Sequence, residues 1–202
     1  AAPTALLQLQ TAGRYRDLVT LVSNDADTNN AHAAAVITKT GRTDITALKD
    51  LTDKRVASVT SELSPGILEV ALELVSRGIN AETFYKRLIR VEPLRMRKVV
   101  EMVQKGEVDA GIVRACFLED LTRAGSGDIT AGLKVIEERT GDGLTCRHTT
   151  RTYPGWVLAV ERRMNETAAR DITAVLLTKP ANAWGQYWSI VTDYGAVDAL
   201  LK

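Results

Sequence analysis

The chain is poor in cysteine and histidine, and each scarcity removes a class of function. Only Cys116, Cys146, His32 and His148 stand among its 202 residues. No CxxC occurs, so a zinc site of four ligands at the usual spacing is not expected, and no metal or cofactor is. Charge of one sign is equally scarce. The 26 basic and 25 acidic residues leave a net charge of +1, without the basic surplus of a nucleic-acid-binding protein. Basic residues cluster only from Arg87 to Lys98, where Glu92 interrupts them, and the run reads as solvated surface. Apolar runs of ~18 residues are missing, so no segment is expected to span a membrane. The opening AAPTALLQLQ lacks the basic and sustained apolar regions of a signal peptide, as a processed start also would. The P-loop and the dinucleotide fingerprint are absent, GSGD at 125–128 being too short and without a strand leading into it.

What is present is an ordinary globular composition. An apolar fraction of 45% over this length suits one large domain or two small lobes. Apolar runs predict strands at Leu18–Val22, Ala33–Thr38, Arg55–Val59, Leu88–Val91, Asp109–Val113, Leu133–Glu137 and Val157–Val160. Helical spacing of Ile67, Leu68, Ala71, Leu72, Leu74 and Val75 predicts a helix after Pro65, with Gly78 as its stop. Met96, Val99, Val100 and Val103 predict another over 95–105, ended by Gly106. Short helices are expected at 5–11, 44–51, 117–123 and 196–201, and a longer one from the N-cap Asn165 to about Leu177. The stretch SNDADTNN reads as a loop. Trp184, Tyr187 and Trp188 form an aromatic group at helical spacing. Strands alternating with helices predict an α/β fold with a mainly parallel sheet.

The segment Lys54–Ala71, KRVASVTSELSPGILEVA, carries the most chemistry. A buried strand runs into a hydroxyl-rich turn and then a helix. That order sets Thr60, Ser61 and Ser64 around unpaired backbone N–H groups and the positive end of a helix dipole, a site for a small anion. In an α/β sheet such a turn lies at the carboxyl end of a strand, where ligands bind. No catalytic group is evident. His148 has no acid or nucleophile near it in sequence, and pairs such as Glu119 with Asp120 or Glu137 with Glu138 read as surface. Cys116 and Cys146 are either two buried thiols or one disulfide. A bridge would close a loop of about 30 residues, stabilise by roughly 3–4 kcal/mol, and imply an oxidising compartment.

Three runs in order resemble one family. ITALKDLTDKRVASVTSELSPG, MVQKGEVDAGIVRACFLEDL and CRHTTRTYPGWVLAV resemble segments of type 2 periplasmic binding proteins, in the phosphate/phosphonate-binding branch. The last run resembles the form found in extracytoplasmic sensor domains of histidine kinases. The resemblance implies a two-lobed α/β fold with ligand between the lobes. Residues 1–39 and 156–202 would form lobe one and 40–155 lobe two, with Ala33–Lys39 and Trp156–Glu161 as the crossover strands. Against the family pattern the chain begins after a first strand–helix–strand stretch, so lobe one would be incomplete. An incomplete sheet edge tends to find a partner strand, which makes a homodimer one expectation. Where phosphonate binders have a histidine, Arg95 and Met96 stand here, which favours a different anion.

Candidate ligand residues are therefore Thr60, Ser61, Ser64, Arg95, Arg114, Arg151 and Tyr153. Arg114 either forks onto an oxyanion or pairs with Glu119 or Asp120. Arg151 is assigned to the cleft and Tyr153 to the hinge, in a segment shared with His148, Thr149 and Thr150. The expectation is a periplasmic or extracytoplasmic sensor domain, no enzyme itself, that binds a small anion and signals by hinge closure to a kinase outside this chain. The alternative is the solute-binding component of an ABC transporter for phosphonate-like or other oxyanions, read by a permease. An enzyme on this fold and a purely structural module are the rival classes.

Overall fold

The computed structural model describes residues 14–23, 32–59, 66–80, 83–126, 129–139, 142–153, 155–183 and 185–191. The helices expected at 5–11 and 196–201, the SNDADTNN loop after its first residue, Trp184, and the turn holding Thr60, Ser61 and Ser64 lie outside these residues. Two compact units result: residues 1–32, 143–145 and 152–202 in the first, and 33–142 and 146–151 in the second.

The second unit is a three-layer α/β sandwich. Its strands are β2 (Ala34–Lys39), β3 (Arg55–Val59), β4 (Arg87–Val91), β5 (Ala110–Arg114) and β6 (Leu133–Val135), in the order β4-β3-β5-β2-β6. β3 is parallel to β4 and β5, whereas β2 is antiparallel to β5 and β6. The expected mainly parallel sheet is thus corrected to a mixed one. β3, β4 and β5 follow one another through two helices of ten residues each, and a helical crossover is what parallel neighbours require. Those helices are α1 (Ile67–Ser76) and α2 (Met96–Lys105), on opposite faces of the sheet. Ala57, Val59, Ala35 and Ile37 pack with Val99 and Val103 of α2. Val56, Ala34, Val36 and Ile112 pack with Val70 and Leu74 of α1. Strands buried on both faces read as continuous apolar runs, which is why they were legible.

Residues 44–51 make only a 3-10 turn, Leu48–Leu51. Gly106 ends α2 at φ 74, in the left-handed region where glycine carries no Cβ penalty. The buried side of α1 differs from the expected apolar stripe: Glu69 and Glu73 are buried with Val70, Leu72 and Leu74, and Val75 is 54% exposed.

The first unit has a three-stranded antiparallel sheet, β7-β1-β8, from β1 (Tyr15–Ser23), β7 (Trp156–Glu161) and β8 (Gln186–Ser189). Helix α4 (Glu166–Leu177) packs on β1 and β8, and the Asn165 carboxamide oxygen caps it by accepting from Thr167 and Ala168 N–H. Tyr187 and Trp188 lie on β8, not on a helix, opposite Val22 and Leu21. Gly185 at φ 69 breaks the helical spacing, and pairing with β1 decides the conformation. β2 falls in the second unit, where it takes its strand partners β5 and β6.

Candidate functional site

In the second unit, β3 ends at Val59 and α1 begins after Gly66, so the two described ends that flank residues 60–65 are the carboxyl end of a sheet strand and a helix N-terminus. Gly66 adopts φ 131, a conformation closed to L side chains, and lies against Ile112 and the Val113 backbone of β5. This contact seats the start of α1 over β5. The Gly66 N–H donates to the side chain of Glu69, which is 8% exposed. Burial pushes the Glu69 carboxyl above the usual glutamate range, against the smaller opposing effect of that hydrogen bond. One helix-end amide is therefore committed within the chain.

Arg114 closes β5. Its guanidinium pairs with Asp120, donates to the Ala115 carbonyl at 3.0 Å, and lies 5.4 Å from the Phe117 ring centre. Of the two expected alternatives, the ion pair with Asp120 is what forms. Asp120 belongs to α3 (Phe117–Arg123) and also meets Arg123 at 3.3 Å. Arg95, just before α2, is exposed and pairs with Glu92 at 3.0 Å. Neither arginine brings an unanswered charge to the sheet edge. Both expected roles in ligand contact thus need their present partners to share.

The cysteines form a disulfide, with no free thiol left. It joins Cys116, at φ 64 ahead of α3, to Cys146 on the returning segment 146–151. That segment is bound to β2 by threonine hydroxyls. Thr149 Oγ1 accepts from Val36 N–H and donates to the Ile136 carbonyl, and Thr150 Oγ1 accepts from Ala34 N–H, at 2.8–3.0 Å. His148 is fully buried; its Nδ1–H donates to the Cys146 carbonyl at 2.7 Å, and Nε2 stands 3.7 Å from Asp142. These three side chains fasten backbone inside the second unit.

Arg151 ends this segment. Its backbone N–H and its Nε–H both donate to Glu73 Oε1, at 2.9 and 3.2 Å. Glu73 is 3% exposed and also meets Arg77 at 3.7 Å and Arg139 at 3.9 Å. Arg77 reaches on to both oxygens of Glu137, at 3.1 and 2.9 Å. Tyr153, buried in the first unit, exchanges backbone hydrogen bonds with His32 at 2.6 and 3.0 Å. Sequence reasoning missed Glu69 and Glu73. Their i, i+4 spacing flanking Val70 and Leu74 was the available signal, but carboxylates at that spacing usually face solvent. Among the described residues no group of three or more His, Cys, Asp or Glu could hold a metal ion.

The chain matches, over residues 1–188, the family described as "ABC transporter, phosphonate, periplasmic substrate-binding protein". No curated protein matches it by sequence. Among solved structures, a binding-protein component of an ABC phosphonate transporter from Pseudomonas aeruginosa superposes with a TM-score of 0.68 at 13% identity, covering 100% of this chain and 66% of its own. A Xanthomonas citri protein bound to ATP gives 0.70 at 17% identity, covering 99% and 73%. PhnD1 of Prochlorococcus marinus, in complex with methylphosphonate, gives 0.59 at 13% identity, covering 91% and 70%. The chain thus spans about two thirds of the length of the first of these proteins. No helix among the described residues is long and apolar enough to cross a membrane. By the match across 188 of its residues and the α/β fold it shares with these structures, the chain belongs to the phosphonate-binding family of periplasmic substrate-binding proteins of ABC transporters.

Proposed function

We propose that this chain is the ligand-binding part of a periplasmic solute-binding protein that delivers a phosphonate-type oxyanion to an ABC permease. The family match over residues 1–188 carries the reading. It favours the transporter alternative over the kinase-sensor expectation, whose support is the resemblance of the segment 146–160. It also favours phosphonate-type ligands against the expectation drawn from Arg95.

The oxyanion is held at the carboxyl edge of β3 and β5. Thr60, Ser61 and Ser64 donate to its oxygens with the backbone amides that precede Gly66, and the dipole of α1 favours the negative charge. Arg114 and Arg151 supply positive potential from guanidiniums that Asp120 and Glu73 hold in place. Arg95 and Tyr153 take outer roles, as an exposed cation and a buried anchor. Binding shifts the population toward a closed arrangement that a permease reads. No covalent step is involved, so the chain acts as a receptor and not as an enzyme.

A thermal-shift series with methylphosphonate, inorganic phosphate, sulfate and acetate tests this. A ligand at 100 times its dissociation constant stabilises the fold by about 2.7 kcal/mol. Stabilisation by methylphosphonate or phosphate, weakened in a Ser61→Ala/Ser64→Ala variant, is the expected result. No shift with any oxyanion would overturn the proposal. Chemical turnover of a bound anion would replace it with the enzyme reading.

A further inference from the structure

Glu73 is a buried carboxylate with an unusual set of partners. It sits on the second turn of α1, four residues after Glu69, and is 3% exposed. A carboxylate so far from water persists as a charge only when cations and hydrogen bonds answer it. Three guanidiniums do: Arg151 at 3.2 Å, Arg77 at 3.7 Å and Arg139 at 3.9 Å. Arg77 and Arg139 have other partners as well, in Glu137 and Asp142. Arg151 is held differently, because the same oxygen that meets its side chain accepts its backbone N–H at 2.9 Å. A contact that only neutralised charge would leave the main chain alone.

The position of that main chain matters. Arg151 is the last residue of the second compact unit, and Thr152 begins the C-terminal stretch of the first. The segment before it is already fastened. Cys146 is bridged to Cys116, Arg147 donates to Glu119 at 3.0 Å, and Thr149 and Thr150 are bonded to β2. The direction in which the chain leaves the second unit is therefore set at Arg151, by a carboxylate on α1. The other end of α1 is the proposed anion site. The helix is one stretch of ten residues, roughly 15 Å long, and transmits a small displacement of its first turn as a rigid body.

We propose that Glu73 is a positioning residue that couples the occupancy of the N-terminal end of α1 to the crossover at Arg151. It does not touch the ligand. An anion that draws the first turn of α1 toward itself moves Glu73, and Glu73 carries the Arg151 backbone with it. This rests on the anion-binding reading above, and goes beyond it by naming the link between ligand and crossover.

The test is amide hydrogen exchange across residues 146–153, with and without methylphosphonate, alongside calorimetric titration of the same ligand. It uses the wild-type chain and the Glu73→Ala and Glu73→Gln variants. Alanine removes the oxygen that accepts the Arg151 N–H, whereas the glutamine oxygen can still accept it. In the wild type, methylphosphonate is expected to slow exchange at the Arg151 amide. In E73A that ligand-dependent slowing is lost, and affinity falls about 5-fold or more, the scale of an ordinary coupling between sites, while E73Q keeps part of the slowing. Should E73A not fold, Glu73→Asp, which shortens the reach by one methylene, is expected to lose the slowing. Equal ligand-dependent slowing in the wild type and in E73A or E73D overturns the coupling while leaving anion binding intact. Absence of binding in the wild type overturns the anion reading and the coupling together.

Discussion

Gly111 lies directly beneath Val99: a methyl group on its α-carbon would stand 2.7 Å from Val99 Cγ1, and 2.9 Å from Val103 Cγ2. The second glycine of the GEVDAG run is thus a packing device, which lets α2 settle onto the centre of the sheet. Its backbone is ordinary, so space and not conformation is what requires it.

Gly111→Ala should accordingly destabilise the second unit by about 1–3 kcal/mol, the usual range for overpacking a filled core. Urea denaturation with a global fit measures it. The neighbours are side-chain tips, and a loss well under this range would mean that Val99 and Val103 yield by changing rotamer. Val99→Ala in the same background should then recover part of any loss, because it vacates the colliding methyl.

The Cys116–Cys146 bridge closes a loop 30 residues along the chain. On the chain-entropy account its removal costs roughly 3–4 kcal/mol. A Cys116→Ser/Cys146→Ser variant should show that loss in denaturant midpoint, and the wild type should show it on adding a reductant strong enough to open the bridge. Identical midpoints with and without the bridge would contradict the expectation, and would assign the fastening of 146–151 to the Arg147–Glu119 pair and the threonine hydroxyls alone.

Two carboxylates give stability opposite slopes with pH. Burial holds Glu69 above the ordinary glutamate range, so over that interval the folded chain retains a proton that the unfolded chain releases. Its contribution is complete below about pH 4.3 and declines as pH rises through the raised folded value. Asp109 behaves in reverse. Burial would raise it, but hydrogen bonds from Arg55 and Arg42 prevail and hold it well below the usual carboxylate range. Its contribution is present above about pH 3.9 and is lost as pH falls toward the folded value. Melting curves between pH 2 and 9 should therefore show Glu69→Gln flattening the decline on the alkaline side. Asp109→Asn should flatten the acid side and cost about 2 kcal/mol at neutral pH. Unchanged slopes in either variant would mean that other groups dominate that limb.

Much of the fold could be read from the chain because its central strands are buried on both faces and its helices on one. An apolar run marked the strand Arg55–Val59 to the residue, the short helix Phe117–Arg123 lies where it was expected, and Gly106 and Asn165 marked helix ends through backbone and side-chain chemistry that acts locally. Tyr187 and Trp188 were read at the wrong period because so short a stretch carries no reliable periodicity, and their pairing partner lies in β1, far away in sequence.

The chain by itself determined the order of the strand Arg55–Val59 and the helix that follows it, and the family to which these segments are similar. Those are local properties, carried by spacing and residue type. Tertiary structure alone decided that Cys116 meets Cys146, that Arg114 turns to Asp120, and that Glu73 is a buried hub and not a surface charge. Each of these depends on which distant segments share a dry interior, where a charge must find its counter-charge or not be there at all.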